Sequence, residues 1–411
     1  MNRYIIYLLI ISFLGLSACD EGDEPDPVDT IYPVSLVIVE DGIYSGIKSK
    51  LNTYLNDVKI GDSTALIIRW NTGGVDALRD SIKKYYDSYH ITNVFLVGDL
   101  PVAWYEMEAA VNFDDYEEFP SDLYLMDPHA TFTDADANGK FDHHSGLDLK
   151  VGVGRIIGTE TEIKEYFDRN HLYRTGGSLT SPTAYLFIDD DWNDWYSNNF
   201  NIGNIYSQID ICLSLNETTR QAYIDKLKNG GAEYVHQMIH SYPSSLAIYH
   251  QGTSEHVSTS DIRANNFKAS FFNMFNCSGA RFTEESLGMT NVLGTDFGLA
   301  IMGTTKTGGN YDPGYFNQAL ANNYSWGEAF IYWYNSKSGI IAEKWTMGLC
   351  LLGDPMLRIS PTTQKIMSAM VLPEITPERL IELEEYGKKM QTENCNKTFA
   401  EYKNAHPQYY R

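Results

Sequence analysis

The sequence predicts an α/β fold built on a mostly parallel sheet with helices on both faces, either as one extended layer or as two subdomains packed together. Two observations carry this expectation. Short apolar runs alternate with segments of helical period, the rhythm of βαβ units. The runs are apolar at successive positions, which fits strands covered on both sides. The chain has 411 residues, 43% of them hydrophobic and 13% aromatic, so it can bury one large core or two smaller ones.

In order, Val34 to Val39 reads as a strand, Ile43 to Asn56 as a helix, Ala65 to Trp70 as a strand, Val75 to Tyr89 as a helix and Val94 to Val97 as a strand. An irregular acidic stretch runs from Pro101 to Asp148. A second series follows: strand Lys150 to Gly154, helix Thr161 to Tyr173, strand Ala184 to Ile188, helix Glu217 to Lys228, then strands Leu246 to Tyr249, Ser270 to Asn276 and Leu299 to Gly303. After Pro361 the composition shifts to a charged helical tail, Pro377 to Ala405.

The first residues have a different character. Asn2 and Arg3 precede an apolar run from Ile5 to Leu16, which leads to Leu16-Ser17-Ala18-Cys19, the layout of a secretory signal ending at a lipobox. The run is shorter than the ~20 residues a spanning helix takes, which favours a cleaved signal over a retained anchor. The expected organisation is therefore a signal peptide over 1–18, a lipidated Cys19 with an acidic, Pro-rich tether over 19–30, a folded domain over 31–360 and the tail over 361–411. The stretch Asp20 to Pro27 resembles the acidic signal that follows the lipidated Cys of surface-exposed bacterial lipoproteins. That resemblance implies the outer face of the outer membrane, with an inner-leaflet destination left open.

A net charge of −23 argues against nucleic acid or anionic lipid headgroups as partners and suits a protein that binds cations. Besides Cys19, the cysteines are Cys212, Cys277, Cys350 and Cys395, without the close spacing of zinc or redox sites or of a disulfide framework. An isolated thiol in an oxidising compartment is either buried or chemically employed.

In doubly wound sheets, reactive groups collect just beyond the carboxyl ends of strands. Two apolar runs end in such groups: Leu246 to Tyr249 leads to His250-Gln251-Gly252, and Ser270 to Asn276 leads to Cys277-Ser278-Gly279. A thiolate attacks peptide carbonyls, and a nearby imidazole accepts the thiol proton and returns it to the leaving amine. Backbone N–H groups of Gln251, Gly252 and Ser278 are candidates for stabilising an oxyanion. On spacing alone, a core His and a core Cys at two strand ends remain the alternative.

Leu246 to Gly252 followed by Phe271 to Gly279 resembles the two strand-end blocks of the gingipain family, clan CD cysteine peptidases. Three further segments share the resemblance: Val94 to Asp99; Ser121 to Tyr124 with Val151 to Ile156; and Leu351 to Arg358. It implies a caspase-like fold, endopeptidase activity on protein or peptide substrates through a thioester, and a dyad of His250 and Cys277. Gln251 departs from the Gly that usually follows the His, which puts the oxyanion geometry in doubt and leaves room for an inactive homologue. Glu106 and Glu108 are candidates by position for an acid that orients the imidazole, with solvated loop positions as the alternative. Asp122 aligns with an acidic residue that lines the substrate pocket of Arg-specific members, although a calcium ligand or a helix cap fits it equally.

Asp134, Asp136 and Asn138, followed by Gly139 and Asp142, place oxygen ligands at alternate positions, as calcium loops do. Ser145 stands where a bidentate Glu is expected, so a remote carboxylate such as Asp148 is needed to complete a Ca²⁺ shell, and an acidic turn is the alternative. His236 and His240 lie four apart on what reads as a helix, but a metalloprotease Glu and a third ligand are lacking, so a structural role is favoured over zinc. The cluster Asp189-Asp190-Asp191, beside Trp192 and Trp195, fits a cation site, a solvated loop or a substrate cleft. Three classes follow: a cysteine endopeptidase, a catalytically inactive surface lipoprotein that binds protein or glycan, and a metal-dependent hydrolase.

Overall fold

The computed structural model describes residues 34–60, 63–108, 116–193, 198–310, 312–336 and 340–359. The expected signal segment, Cys19, the tether and the tail after Pro361 lie outside these residues. No helix among the described residues is long and apolar enough to cross a membrane.

The first series forms as its pattern dictates. Strands β1 (Val34–Glu40), β2 (Thr64–Trp70) and β3 (Asn93–Val97) alternate with helices α1 (Asp41–Ile60) and α2 (Val75–Tyr89), and β1 lies between β2 and β3 in parallel register. Successive residues of β1 and β3 serve opposite faces. Leu36, Ile38, Val94 and Leu96 enter one core, and Val37, Val39, Phe95 and Val97 enter the other.

The acidic stretch is more ordered than its composition suggests. It holds a hairpin of β4 (Trp104–Glu108) and β5 (Tyr116–Pro120), the short helix α3 (Leu123–Met126), and a second small hairpin, β6 (Phe132–Thr133) with β7 (His143–His144). Strand β8 (Gly152–Ile156) then pairs in parallel with β3, and α4 (Glu160–Arg174) begins at a capping box made by Thr159 and Glu162.

The second series contains β9 (Ala184–Ile188), β10 (Ile209–Cys212), α5 (Arg220–Asp225) and β11 (Ala232–Met238). Three short strands follow, β12 (His240–Tyr242), β13 (Ser245–His250) and β14 (Thr253–Ser258). The chain continues through α6 (Thr259–Asn265), β15 (Ala269–Phe275), α7 (Leu287–Leu293), β16 (Ala300–Thr304), α8 (Gly314–Ala321), α9 (Trp326–Asn335), α10 (Ile340–Thr346) and β17 (Leu349–Gly353).

Both series join one ten-stranded sheet in the order β10-β9-β11-β15-β16-β17-β8-β3-β1-β2, which decides between one extended layer and two separate sheets. All neighbours are parallel except β16 and β17. The sheet is thus two parallel halves running in opposite directions, and the carboxyl ends of β9, β11, β15 and β16 share one edge.

Two expectations are corrected here. Leu246 to Tyr249 is a strand, but it is outside the large sheet: β13 pairs antiparallel with β12 and β14 in a separate three-stranded sheet. His236 and His240 are not on a helix. His236 is in β11, and His240 opens β12.

Candidate active site

Strands β11 and β15 are adjacent and parallel, with Met238 opposite Phe275, so two residues further on His240 comes level with Cys277. Neighbouring strands run about 4.8 Å apart. The Ile239 N–H donates to the Phe275 carbonyl at 3.1 Å, and the Ser241 hydroxyl donates to the Cys277 carbonyl at 2.5 Å. The structure therefore brings Cys277 beside His240.

It does not bring Cys277 to His250. The end of β13 is tied to the loop after β9: Tyr249 O accepts from Asp190 N at 3.3 Å, and Gln251 N donates to Asp190 Oδ2 at 2.7 Å. In the large sheet β11 lies between β9, whose following loop holds the end of β13, and β15, which leads to Cys277. Gln251 and Gly252, at φ 47° and 80°, form the two-residue turn that pairs His250 with Thr253. The Gln251 N–H is engaged by Asp190, and the Ser278 N–H donates to Lys306 O at 2.8 Å. Gly252 is at the exposed tip of the turn. None of the three therefore presents a free N–H at Cys277, contrary to the expectation.

His240 is held on three sides. Asp191 Oδ2 lies 3.2 Å from its Nε2, the Trp192 ring packs against it at 4.9 Å between centroids, and the Tyr249 ring meets it edge-on at 5.1 Å. The acid that meets the His240 imidazole thus comes from the Asp189 to Asp191 cluster. Glu106 faces the acidic loop instead, where it accepts from Asn138 Nδ2 at 2.9 Å, and Glu108 pairs with Lys344 at 2.6 Å. Neither is an orienting acid for the imidazole in this geometry.

Among the three free cysteines described, Cys212 and Cys350 are buried and Cys277 is partly exposed. Burial of the sulfur pushes the Cys277 thiol up to about 11. The Gly308 N–H on the sulfur and the Lys306 ammonium pull against this, and the Glu117 carboxylate adds to it. Glu117 is itself compensated by Lys306 Nζ at 2.8 Å and by the Thr307 N–H at 3.1 Å. At neutral pH the Cys277 sulfur is a thiol.

Asp122 is not in a substrate pocket. It is fully buried in a two-pronged pair with Arg155, with Nε to Oδ2 at 2.8 Å and Nη2 to Oδ1 at 2.6 Å. It occupies the N-cap position of α3 without capping through its side chain.

The acidic loop divides. Asp136 and Asp142 meet Glu106, with ligand oxygens within 4.8 Å of one another. Asp134 instead closes the turn, accepting from Asn138 N at 3.1 Å and Gly139 N at 2.8 Å. Asn138 directs its amide nitrogen, not its oxygen, to Glu106 and Asp136. Asp148 lies elsewhere, paired with Lys150 and with Asn335 at 3.1 Å, so it does not complete a shell with the others. His236 is buried against Asn273 at 2.9 Å, and desolvation lowers its pKa to about 3, so it is a neutral core imidazole.

His240 was obscured because β11 carries Glu233, His236 and Gln237, polar residues that broke the apolar pattern, whereas Leu246 to Tyr249 supplied an uninterrupted run. The available signal was a small residue, Ser241, directly after the His.

The fold and the strand-end Cys define a class, the caspase-like cysteine peptidases. The model of peptidase family C25 matches residues 36–360, and the chain belongs to that family, the gingipain family. No curated protein sequence matches it. The crystal structure of the Arg-specific cysteine proteinase gingipain R is similar at a TM-score of 0.57 and 16% identity, over 80% of this chain and 78% of that one.

Proposed function

We propose that the chain is a cysteine endopeptidase in which Cys277 is the nucleophile and His240 the acid–base. The observation that carries this reading is the level placement of His240 and Cys277 at adjacent parallel strand ends, with Ser241 bonded to the Cys277 carbonyl. As Cys277 Sγ attacks the peptide carbonyl, His240 takes its proton, and the imidazolium then protonates the departing amine to leave a thioester. Water, deprotonated by His240, releases the acid and restores the thiol. Asp191 on Nε2 favours the imidazolium that forms at each transfer. Because the resting sulfur is a thiol, proton removal accompanies attack.

One observation favours a second reading, a binding protein on a peptidase fold: the thiol is held neutral by burial. A single experiment separates the two. The domain is assayed on fluorogenic peptides with and without Cys277→Ala, and alkylation by iodoacetamide is followed from pH 7 to 10. The peptidase reading expects cleavage by the native chain alone, with an alkylation rate climbing tenfold per pH unit below about 11. No cleavage across the panel, with Cys277 inert to iodoacetamide up to pH 10, would sink it.

Two accompanying proposals concern the surroundings. The signal layout before Cys19 supports a lipid-anchored protein at the outer membrane, acting on protein or peptide substrates at the cell surface. Glu106, Asp136 and Asp142 offer hard oxygens of the kind Ca²⁺ takes. Added Ca²⁺ is expected to raise the melting temperature by a few degrees, since 100-fold excess over Kd stabilises by about 2.7 kcal/mol. Glu106→Gln with Asp142→Asn should abolish that rise, and an unchanged rise would place any binding elsewhere.

A further inference from the structure

Three groups that touch the His240 ring hang from one buried residue. The Asp191 N–H donates to Asp189 Oδ1 at 3.2 Å, the Tyr249 N–H donates to Asp189 Oδ2 at 3.2 Å, and the Trp192 N–H donates to the Asp189 carbonyl at 3.1 Å. Asp191, Trp192 and Tyr249 are the residues that contact the imidazole from three sides. The Asp189 N–H in turn donates to Met238 O at 3.1 Å, two residues before His240. Asp189 is fully buried at the end of β9. Asp190 adds a second clasp on the same hairpin, accepting from Gln251 N and from the Thr218 hydroxyl, both at 2.7 Å.

We propose that Asp189 is the positioning residue of this site: its carboxylate holds Asp191 and Tyr249 against His240, while its main-chain carbonyl holds Trp192, so that turnover follows the state of the carboxylate. The proposal rests on the reading of His240 and Cys277 as the dyad. The charged groups that act on Asp189 are His240 from β12 and Asp191 from its own loop; Asp190, Tyr249 and His250 belong to the same loop and hairpin, Tyr242 to β12, Glu233, Tyr234 and His236 to the neighbouring β11, and Asp210 and Cys212 to β10. Desolvation raises the Asp189 carboxyl to about 7, against the opposing pull of His240 and of the Tyr249 N–H. In its ionised form both oxygens accept N–H bonds and a negative charge stands near the imidazole. Protonation removes that charge and turns one oxygen into a donor, which weakens a clasp.

The sign for stability follows. The native state holds the Asp189 proton more tightly than the unfolded chain does, so stability falls as pH rises from the ordinary carboxylate range to about 7. Ionisation thus costs stability while it completes the site.

The test is the pH dependence of kcat and KM from pH 5 to 9 for the native chain, Asp189→Asn and His240→Ala, on one cleaved fluorogenic peptide. Asp189→Asn keeps the shape and one acceptor oxygen but loses the charge and the second acceptor. It is expected to lower kcat about 10- to 100-fold with KM within twofold, and to remove the acidic limb of the kcat profile near pH 7. An unchanged profile, or a change in KM alone, would overturn the proposal. If Asp189→Asn does not fold, the His240 ring resonances of the Cys277→Ala chain are titrated instead. An inflection near 7 in addition to the ring's own supports the proposal, and a single inflection overturns it. Activity that survives His240→Ala would sink the dyad itself, whereas loss with His240→Ala but not with Asp189→Asn defeats only the role of Asp189.

Discussion

His240→Ala is expected to cut kcat/KM on a peptide substrate by about a thousandfold or more, whereas His250→Ala leaves it within a few-fold of the native value. The size of the first effect reflects what the imidazole does twice per turnover. It removes a proton from a thiol whose pKa lies near 11, and it later protonates an amine that would otherwise leave as an anion. Without it, only about one thiol in ten thousand is ionised at pH 7, given a pKa near 11. The small second effect follows from position. His250 ends β13, outside the large sheet and beside the Asp190 loop that follows β9, and its turn is closed by Gln251 and Gly252. His250 Nδ1 is buried without a hydrogen-bond partner among the described residues, so His250→Ala is expected to remove only an unpaired polar atom. Steady-state kinetics on both variants, with circular dichroism to show folding, is decisive. A dead His250→Ala beside an active His240→Ala would overturn the assignment.

The same pair of histidines shows what was legible in the sequence. Hydrophobic runs and helix signals located nearly every element of the first series, and Val75–Tyr89 appears with the expected bounds, because local pattern and tertiary burial agree there. The place of Cys277 just beyond a strand end was legible because an apolar strand, Ala269–Phe275, leads directly to it. Its partner was not, since partner choice between strands is non-local. Leu246 to Tyr249 has the composition of a sheet strand, yet two short turns fold it back on His240 to Tyr242 and Thr253 to Ser258, outside the large sheet. The strand that does deliver the imidazole, β11, buries Glu233, His236 and Gln237 by pairing them, the His with Asn273 and the Gln with the Tyr223 hydroxyl at 2.5 Å. Polarity patterns read such residues as surface, because the partners that make their burial tolerable are far away in sequence. For the same reason, Asp122 read as a ligand-facing acid. Its partner, Arg155, is another member of the same family-like segments, and only the fold shows that the two neutralise one another.

Breaking that pair is expected to give the largest stability loss of any single replacement away from the dyad. Arg155→Ala strands a fully buried carboxylate, and Asp122→Ala strands a fully buried guanidinium; each is expected to cost about 3–5 kcal/mol. For a domain of this size, that lowers the melting temperature by roughly 4–7 °C. Arg155 does more than neutralise Asp122: it donates to Leu100 O at 3.2 Å and Pro101 O at 3.4 Å, and its guanidinium stacks on the Phe282 ring at 4.6 Å. Those carbonyls belong to the segment leading from β3 into the β4–β5 hairpin. That hairpin is held to the loop after Cys277 through Glu118 O, which accepts from Arg281 Nη1 at 3.0 Å, and to the end of β16 through Pro120 O, which accepts from the Thr305 hydroxyl at 2.6 Å. Loss of Arg155 should therefore loosen one wall of the site as well as the core. Replacing both members together, Asp122→Leu with Arg155→Met, removes both charges and is expected to recover most of the loss, as buried pairs do when apolar groups of similar volume take their place. Thermal melts of the two single variants and the double variant check this. If Asp122→Asn left the melting temperature unchanged and instead raised KM for peptides with Arg before the scissile bond, Asp122 would be a substrate ligand after all. The bidentate geometry at zero exposure predicts the opposite: a melting temperature that falls in each single variant and a KM that discriminates little between Arg and uncharged residues.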